Sequence, residues 1–216
     1  LTASGLRAAA AAAVADVPLD VSAEGGFEDG RVTFDAQASG SGLQFSASGG
    51  LDTGGAQSIS ARINGTVPFS LLSATIARQG LSLTGAAQAD ISISGTTGAP
   101  QFAGTISTSD ARLVESRSGI AIDNLAATIG LTRDQAEIRS LSGDLSSGGK
   151  VTGSGTIGLD PASNYPADLA LKVSRARYAD GQMVATRFDA DLKLVGPLAT
   201  LPELSGTILL DETTIT

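Results

Sequence analysis

The sequence predicts an all-β protein built from antiparallel strands, and three observations support this prediction. Apolar and polar residues alternate through most of the chain, which is the pattern of half-buried strands. Signals for turns recur about every 8–12 residues, as in sandwiches, barrels and solenoids. One strand–turn–strand phrase also occurs twice, which indicates a surface built by repetition.

The repeated phrase is the most informative feature of the chain. Residues 89–113 read ADISISGTTGAPQFAGTISTSDARL, and residues 190–215 read ADLKLVGPLATLPELSGTILLDETTI. Both place an alternating run before a Gly/Pro turn and a second alternating run after it. No catalytic residue types accompany either copy, so the phrase predicts paired strands and not an active site.

Two segments are predicted to be helical. The alanine-rich segment 5–15 has Ser4 as a candidate cap and is followed by Pro18, which ends a helix. Its small residues would alternatively let a strand pack closely. The second segment is Pro68–Arg78, with proline in the first turn and Gly80 after the last.

The remaining segments alternate and are predicted to be strands. They are residues 18–23, 30–38, 42–49, 57–66, 81–94, 101–108, 111–115, 120–131, 135–140, 150–159, 167–178, 182–195, 203–210 and 212–216.

The apolar positions of these strands are predicted to share one face of the sheet, because a slip of one residue would move the whole row into water. The predicted lining of this face is Val32, Phe34, Leu43, Phe45, Ile59, Ile63, Leu81, Leu83, Ile91, Ile93, Ile106, Ile129, Leu131, Leu169, Leu171, Val173, Leu192, Leu194, Ile208 and Leu210. Ile120, Ile122 and Phe188 follow the same alternation.

Composition excludes several classes of function. The net charge is −8, and the closest basic pair is Arg175 and Arg177, so nucleic-acid binding is not expected. The chain has neither cysteine nor histidine, so it lacks disulfides, thiolate metal sites and the commonest general base. Asp52, Asp160 and Asp180 lie in polar loops, but single loop carboxylates are usually solvated and do not predict a calcium site. We predict no enzyme activity, no cofactor and no metal.

The apolar face has an unusual composition. Apart from Phe34 and Phe45 it consists of aliphatic residues, and the chain has only six Phe, two Tyr and no Trp. A closed sandwich normally uses bulky side chains to fill its interior. The face is therefore either an ordinary aliphatic core, which periodicity alone favours, or the lining of a groove for hydrocarbon.

The order of helix, strands and turns resembles that of the TamB family, the inner-membrane subunits of the bacterial translocation and assembly module. The resemblance covers residues 18–216. It is clearest over residues 64–113, which include VPFSLLSATIARQGLSLTGAAQADISISGTTGAPQFAGTISTSDARL, and over residues 165–216, which include DLKLVGPLATLPELSGTILLDETTI. Motifs of small and alternating residues match many β proteins, whereas the order and spacing of the helix, strands and turns are more specific than any single motif.

The resemblance implies a periplasmic stalk segment at 18–216, in units of roughly 18–113 and 114–216, after an alanine-rich lead-in at 1–17. It implies an elongated curved sheet that forms a taco-like trough with an apolar concave face, similar to AsmA-like and bridge-like lipid-transfer proteins. The expected partners are a TamA-like outer-membrane barrel and either phospholipid acyl chains or nascent outer-membrane protein strands. The parent would be anchored in the inner membrane of a Gram-negative bacterium by a segment outside this sequence.

Two alternatives remain at this stage. A structural or adhesive β-solenoid or sandwich module would also be repetitive, acidic and free of cysteine. A polysaccharide-active β-helix enzyme would need converging carboxylates and aromatic residues that stack on sugars. The shortage of aromatic residues disfavours the enzyme.

Overall fold

The computed structural model describes residues 3–14, 17–55, 57–78, 80–117, 119–179 and 184–215. Within these ranges the chain forms fourteen strands. They are β1 (Ala3–Val14), β2 (Val17–Glu28), β3 (Arg31–Gly40), β4 (Leu43–Asp52), β5 (Ile59–Pro68), β6 (Leu81–Thr84), β7 (Ala86–Thr96), β8 (Ala99–Glu115), β9 (Ala121–Thr132), β10 (Gln135–Leu145), β11 (Lys150–Gly158), β12 (Pro166–Ala179), β13 (Val184–Pro197) and β14 (Glu203–Ile215).

The strands are hydrogen-bonded in the order in which they occur in the chain, except that β6 pairs with β8 away from the main path. Every ladder with a described register is antiparallel. This architecture confirms the predicted all-β antiparallel class. It follows from the sequence because short turns can join antiparallel neighbours, whereas parallel strands need long crossovers.

The chain divides into two compact units. The first contains Leu1–Leu72, Ala86–Ile106 and Leu131–Arg133, and the second contains the rest of the chain. The ladder from β1 to β5 and on to β7 therefore lies in the first unit, and β10 to β14 lie in the second.

The strand predictions differ from the structure mainly in how segments are joined. The predicted strand 81–94 is divided at Gly85, whose φ is 111°, into β6 and β7. The predicted strands 101–108 and 111–115 are continuous in β8, although Asp110 has a φ of 58°. Isolated residues with positive φ therefore mark either a break or a bulge, and alternation alone does not distinguish the two.

The predicted helix at 5–15 is wrong over its described residues, because Ala3–Val14 is a strand. It pairs almost residue by residue with β2, from Val14 opposite Val17 to Ala3 opposite Phe27. A helix of about eleven residues is only marginally stable even when alanine-rich. The ladder hydrogen bonds to β2 override the helical preference of alanine.

The predicted helix at Pro68–Arg78 is confirmed in place and shortened. A 3-10 helix at Phe69–Leu72 continues into α1 (Ser73–Ala77). Gly80 ends it with a φ of 76°, and its N–H donates to the carbonyl of Ala77 over 3.0 Å. Glycine adopts this conformation without the steric cost that a Cβ brings. The other helical segment is a 3-10 helix at Pro161–Ser163.

The buried side chains are small. In the described residues the buried apolar set is Ala111, Ala121, Leu125, Ala136, Val151, Ala167, Ala176 and Ala190, and no large side chain is fully buried. The accessible surface is 13,502 Å², compared with ~9,200 Å² for a compact monomer of this mass. The chain therefore buries less side-chain surface than a closed domain of its size would. Among the described residues, no helix is long and apolar enough to cross a membrane.

Candidate functional site

The ladder of the first unit places apolar side chains on a common face. Residues directly opposite one another in antiparallel strands share a face, and Ala47 is opposite Ile63, which is opposite Ile91. On the same face, Phe34 lies between Gly25 and Gly49. The predicted residues brought together here are Val32, Phe34, Leu43, Phe45, Ile59, Ile63, Ile91 and Ile93.

The second unit repeats this arrangement. Leu171 is opposite Gly153 on one side and Leu192 on the other, and Leu169 is opposite Leu194. The predicted residues that share this face are Leu169, Leu171, Val173, Leu192, Leu194, Ile208 and Leu210, and Phe188 joins them opposite Leu210. Each unit thus has its own apolar face.

The other predicted residues lie in strands, but the described registers do not connect them to these two faces. Leu83 is opposite Leu113, and Leu81 is opposite Glu115. Ile106 in β8 and both Ile129 and Leu131 in β9 are half-buried. Ile120 was predicted to open a strand, but it precedes β9 and is 56% exposed.

The apolar faces are only half covered. Along β3, apolar-face positions are half-buried and polar-face positions are exposed, in strict alternation. In β14 the apolar-face residues are more open: Leu204 is 63% exposed, Ile208 59% and Leu210 66%. A sandwich core would bury such side chains completely, so these faces leave aliphatic surface open to solvent.

The opposite face is polar and carries ion pairs. Arg62 Nη2 lies 2.7 Å from Asp90 Oδ2, and Lys172 Nζ lies 3.5 Å from Asp191 Oδ1. The hydrogen bond to Asp90, followed by charge attraction, raises the pKa of Arg62 above its ordinary value. These pairs are exposed and contribute little stability. They do favour a register in which opposite charges are neighbours.

A glycine on the apolar face recurs at each Gly-Thr-Ile sequence. A Cβ added to Gly155 would lie 2.8 Å from Leu169 Cα, and one added to Gly206 would lie 2.9 Å from Leu192 Cα. Gly104 makes the same approach, 2.8 Å from Ile91 Cα. In all three cases the neighbouring strand has Asp followed by Ile or Leu. Real Cβ atoms do not approach a backbone this closely, so glycine lets the adjacent strands pair here.

A hollow of about 760 Å³ lies in the first unit between β2 and β5. Each of the four strands contributes three consecutive residues, of which the outer two belong to the polar face. Ser46 Oγ donates to Asn64 Oδ1 over 2.6 Å there. Twisted sheets form hollows on either face, and sequence alternation gave no signal for this one.

The loop carboxylates considered for calcium have protein partners. Asp160 accepts from the Ala162 N–H over 2.9 Å and from Ser163 Oγ over 2.6 Å, so it caps a 3-10 helix. The bond from Ser163, followed by that from Ala162, lowers the pKa of Asp160. Asp52 accepts from Ser58 Oγ over 2.7 Å. Asp180 lies outside the described residues, and among those described no group of three potential metal ligands occurs.

Comparison with known protein families gives a match to the C-terminal part of the chain. Residues 139–216, from within β10 to the last strand, match the family model of the TamB C-terminal domain. A search of the curated proteins and a search of the solved structures each returned no significant match. The matched region contains the apolar face of the second unit, including Leu171, Leu192 and Ile208. Residues 139–216 are therefore similar to the TamB C-terminal domain.

Proposed function

We propose that this chain is a non-enzymatic periplasmic segment of a TamB-like protein, and that its apolar faces line a trough for hydrophobic cargo. The observation that carries the proposal is an apolar face that continues from strand to strand and remains half exposed. In the trough, the predicted lining residues would face the cargo and the ion-paired face would contact water. The relation to AsmA-like and bridge-like lipid-transfer proteins belongs to the same proposal.

Phospholipid acyl chains are one cargo that suits these faces. Each methylene transferred from water gains about 0.8 kcal/mol, without any directional partner. The rows formed by Phe34, Ile63 and Ile91 in the first unit, and by Leu171 and Leu192 in the second, are aliphatic or aromatic and carry no charge. Such a surface would hold chains of different lengths and support passage of phospholipid between the inner and outer membranes.

A nascent outer-membrane β-strand is the second cargo. β14 pairs with β13 on one side, and no described strand pairs with its other side. An extended segment would add to this edge through main-chain hydrogen bonds and would cover Ile208 and Leu210. The same edge is the proposed contact for a TamA-like barrel, which would place this segment beside the outer membrane.

A structural or adhesive β-solenoid is the competing function. Parallel β-solenoids stack their coils as parallel strands, whereas the described ladders are antiparallel. The internal repetition still suits such a module. Its interior would be dry, and it would retain no lipid on purification.

The test is to purify the 216-residue chain from a Gram-negative host and to quantify co-purified phospholipid by mass spectrometry. Ile93→Asp places a carboxylate on the apolar face, whereas Ser92→Asp places one on the polar face opposite Arg62. We expect at least ~5-fold less lipid with Ile93→Asp and little change with Ser92→Asp. Equal lipid content in the two variants, both folded by circular dichroism, would contradict the trough.

A further inference from the structure

The hollow of the first unit lies on the polar face of its sheet. It has a volume of about 760 Å³ and crosses β2, β3, β4 and β5. Both polar-face positions of each strand line it, whereas the next apolar positions, such as Ala36 and Ala47, do not. Its volume falls within the ~300–1,000 Å³ that is typical of binding sites for small molecules.

The lining side chains form two rows that cross the four strands. Neighbouring strands lie about 4.8 Å apart, so each row spans roughly 14 Å. The residues between the rows point their side chains to the other face, so the floor of the hollow is backbone. The rows are Ser22, Gln37, Ser46 and Asn64 on one side, and Asp20, Ser39, Gln44 and Thr66 on the other.

The two rows offer hydrogen bonds that the protein itself leaves largely unused. They contain four hydroxyls, three carboxamides and one carboxylate. Ser46 Oγ donates to Asn64 Oδ1, but among the described residues the side chains of Gln37, Gln44 and Thr66 have no hydrogen-bond partner in the protein. Each carboxamide both donates and accepts, so the hollow can satisfy a ligand that does the same.

The charges of the lining exclude other classes of ligand. Nearby on the polar face, Arg62 is paired with Asp90, but the lining that the structure describes contains no basic residue to bind an anion. Its single carboxylate, Asp20, is too little for a calcium ion, which takes six to eight oxygen ligands. An apolar ligand would cover Gln37 and Gln44 without replacing their hydrogen bonds to water. The lining therefore suits a neutral, hydroxyl-rich molecule.

We propose that this hollow binds a neutral saccharide chain across the four strands. Sugar hydroxyls donate and accept, which matches the carboxamides of Gln37 and Gln44 and the hydroxyl of Thr66. Asp20 would accept a charge-assisted hydrogen bond from a hydroxyl at one end of a row. The saccharide comes either from a free oligosaccharide or from a glycan strand of the cell envelope. The site lies on the face opposite the proposed trough and does not depend on its cargo.

The test follows the folded, isotope-labelled 216-residue chain by NMR during titration with three probes. The probes are cellotetraose, chitotetraose and tetraethylene glycol, which is a polyether without ring hydroxyls. The side-chain amide signals of Gln37, Gln44 and Asn64 report on the hollow. Gln101 is an exposed residue of β8 in the same unit and lies outside the hollow, so its signal is the internal control.

Gln44→Ala removes a carboxamide from one row, and Gln37→Ala is a second variant in the other row. The matched control is Gln101→Ala. Circular dichroism checks that all three variants are folded. Co-sedimentation with purified peptidoglycan, with and without chitotetraose as competitor, separates the two sources of saccharide. Sedimentation that Gln44→Ala abolishes would support a glycan strand, whereas binding of a tetrasaccharide without sedimentation would support a free oligosaccharide.

We expect at least one tetrasaccharide to shift the signals of Gln37, Gln44 and Asn64 and to leave that of Gln101 in place. Gln44→Ala should weaken this binding about 5-fold, because one hydrogen bond between neutral groups is lost, and Gln101→Ala should leave it unchanged. Equal shifts with tetraethylene glycol, equal weakening by the control, or no shift with either saccharide would overturn the site. None of the probes carries an alkyl chain, so failure here leaves the proposed trough standing.

Discussion

Strands β11 and β14 carry the same Gly-Thr-Ile sequence in different surroundings. Ile157 in β11 lies between Ala136 of β10 and Ala167 of β12, and it is half-buried. Ile208 in β14 is opposite Ala190 on one side only, and it is 59% exposed. Two similar residues on the same kind of face thus differ in burial because one strand has two neighbours and the other has one.

The strands on either side of β11 show which residues lie opposite the Gly-Thr-Ile sequence. On one side, Glu137 is opposite Thr156, and on the other Asp168 is opposite the same threonine. β14 repeats one half of this environment, with Asp191 opposite Thr207. The comparison indicates that exposure of the apolar face is set by neighbouring strands, and that interior strands leave it half open even when both edges are paired.

Replacing the glycines of β11 and β14 with a larger residue should produce the largest difference in stability between the two strands. Gly155 and Gly206 have φ values of 145° and 149°, and each faces the backbone of a neighbouring strand. Gly155→Val should lower the free energy of unfolding by about 3 kcal/mol, because β11 is fixed between two strands. Gly206→Val should cost about half as much, because β14 can move away from β13.

Urea unfolding followed by circular dichroism measures both values. Gly98→Val is the matched control, since a Cβ there would meet nothing within 4 Å, and it should change stability by less than about 0.5 kcal/mol. If Gly206→Val and Gly155→Val lower the free energy of unfolding equally, β14 is confined by its neighbour as tightly as β11 is by its two.

A smaller effect concerns the turn that joins β10 to β11. The hydrogen bond from Asn124, followed by the hydrogen bond and charge of Lys150, lowers the pKa of Asp144 below its ordinary 3.8. Because the folded pKa lies below the unfolded one, this carboxylate stabilises the fold above the unfolded pKa. The contribution is lost as the pH falls through the folded pKa.

Asn124→Ala removes one hydrogen bond from Asp144, and Lys150→Gln removes a hydrogen bond and a charge, so each variant should raise the pKa of Asp144. An NMR titration of the Asp144 carboxyl in both variants measures this directly. No rise with Asn124→Ala would show that the amide hydrogen bond does not stabilise this carboxylate.

Much of the strand pattern was predictable because alternation has a period of two. Phe34 and Ile91 could be assigned to the apolar row from sequence, since any other register would place that row in water. The structure brings them to the same face of the first unit through the intervening β4 and β5. Their role as cargo contacts stays a prediction.

Two features could not be predicted from local sequence. The alanines of Ala3–Val14 show neither an apolar stripe with the period of a helix nor the alternation of a strand. Pairing with β2 therefore determines their conformation. Arg175 and Arg177 were visible as the closest basic pair, but the bulge between Val173 and Ala176 and the turn of Gly148 and Gly149 depend on tertiary pairing. Sequence gave no signal for the cavity of about 560 Å³ that these arginines line in the second unit.

The most direct test of the central claim is photo-crosslinking in cells, with the parent protein at full length. A photoreactive residue replaces Ile93 in one strain and Ser92 in a matched strain, and adducts are identified by mass spectrometry. Residues 92 and 93 are neighbours in β7 and lie on opposite faces of the sheet. A difference between their adducts therefore reports which face contacts the cargo. Phospholipid or outer-membrane protein captured at 93 and not at 92 is the result that we predict. No adduct at 93, or equal capture at both positions in a folded protein, would contradict an open apolar trough.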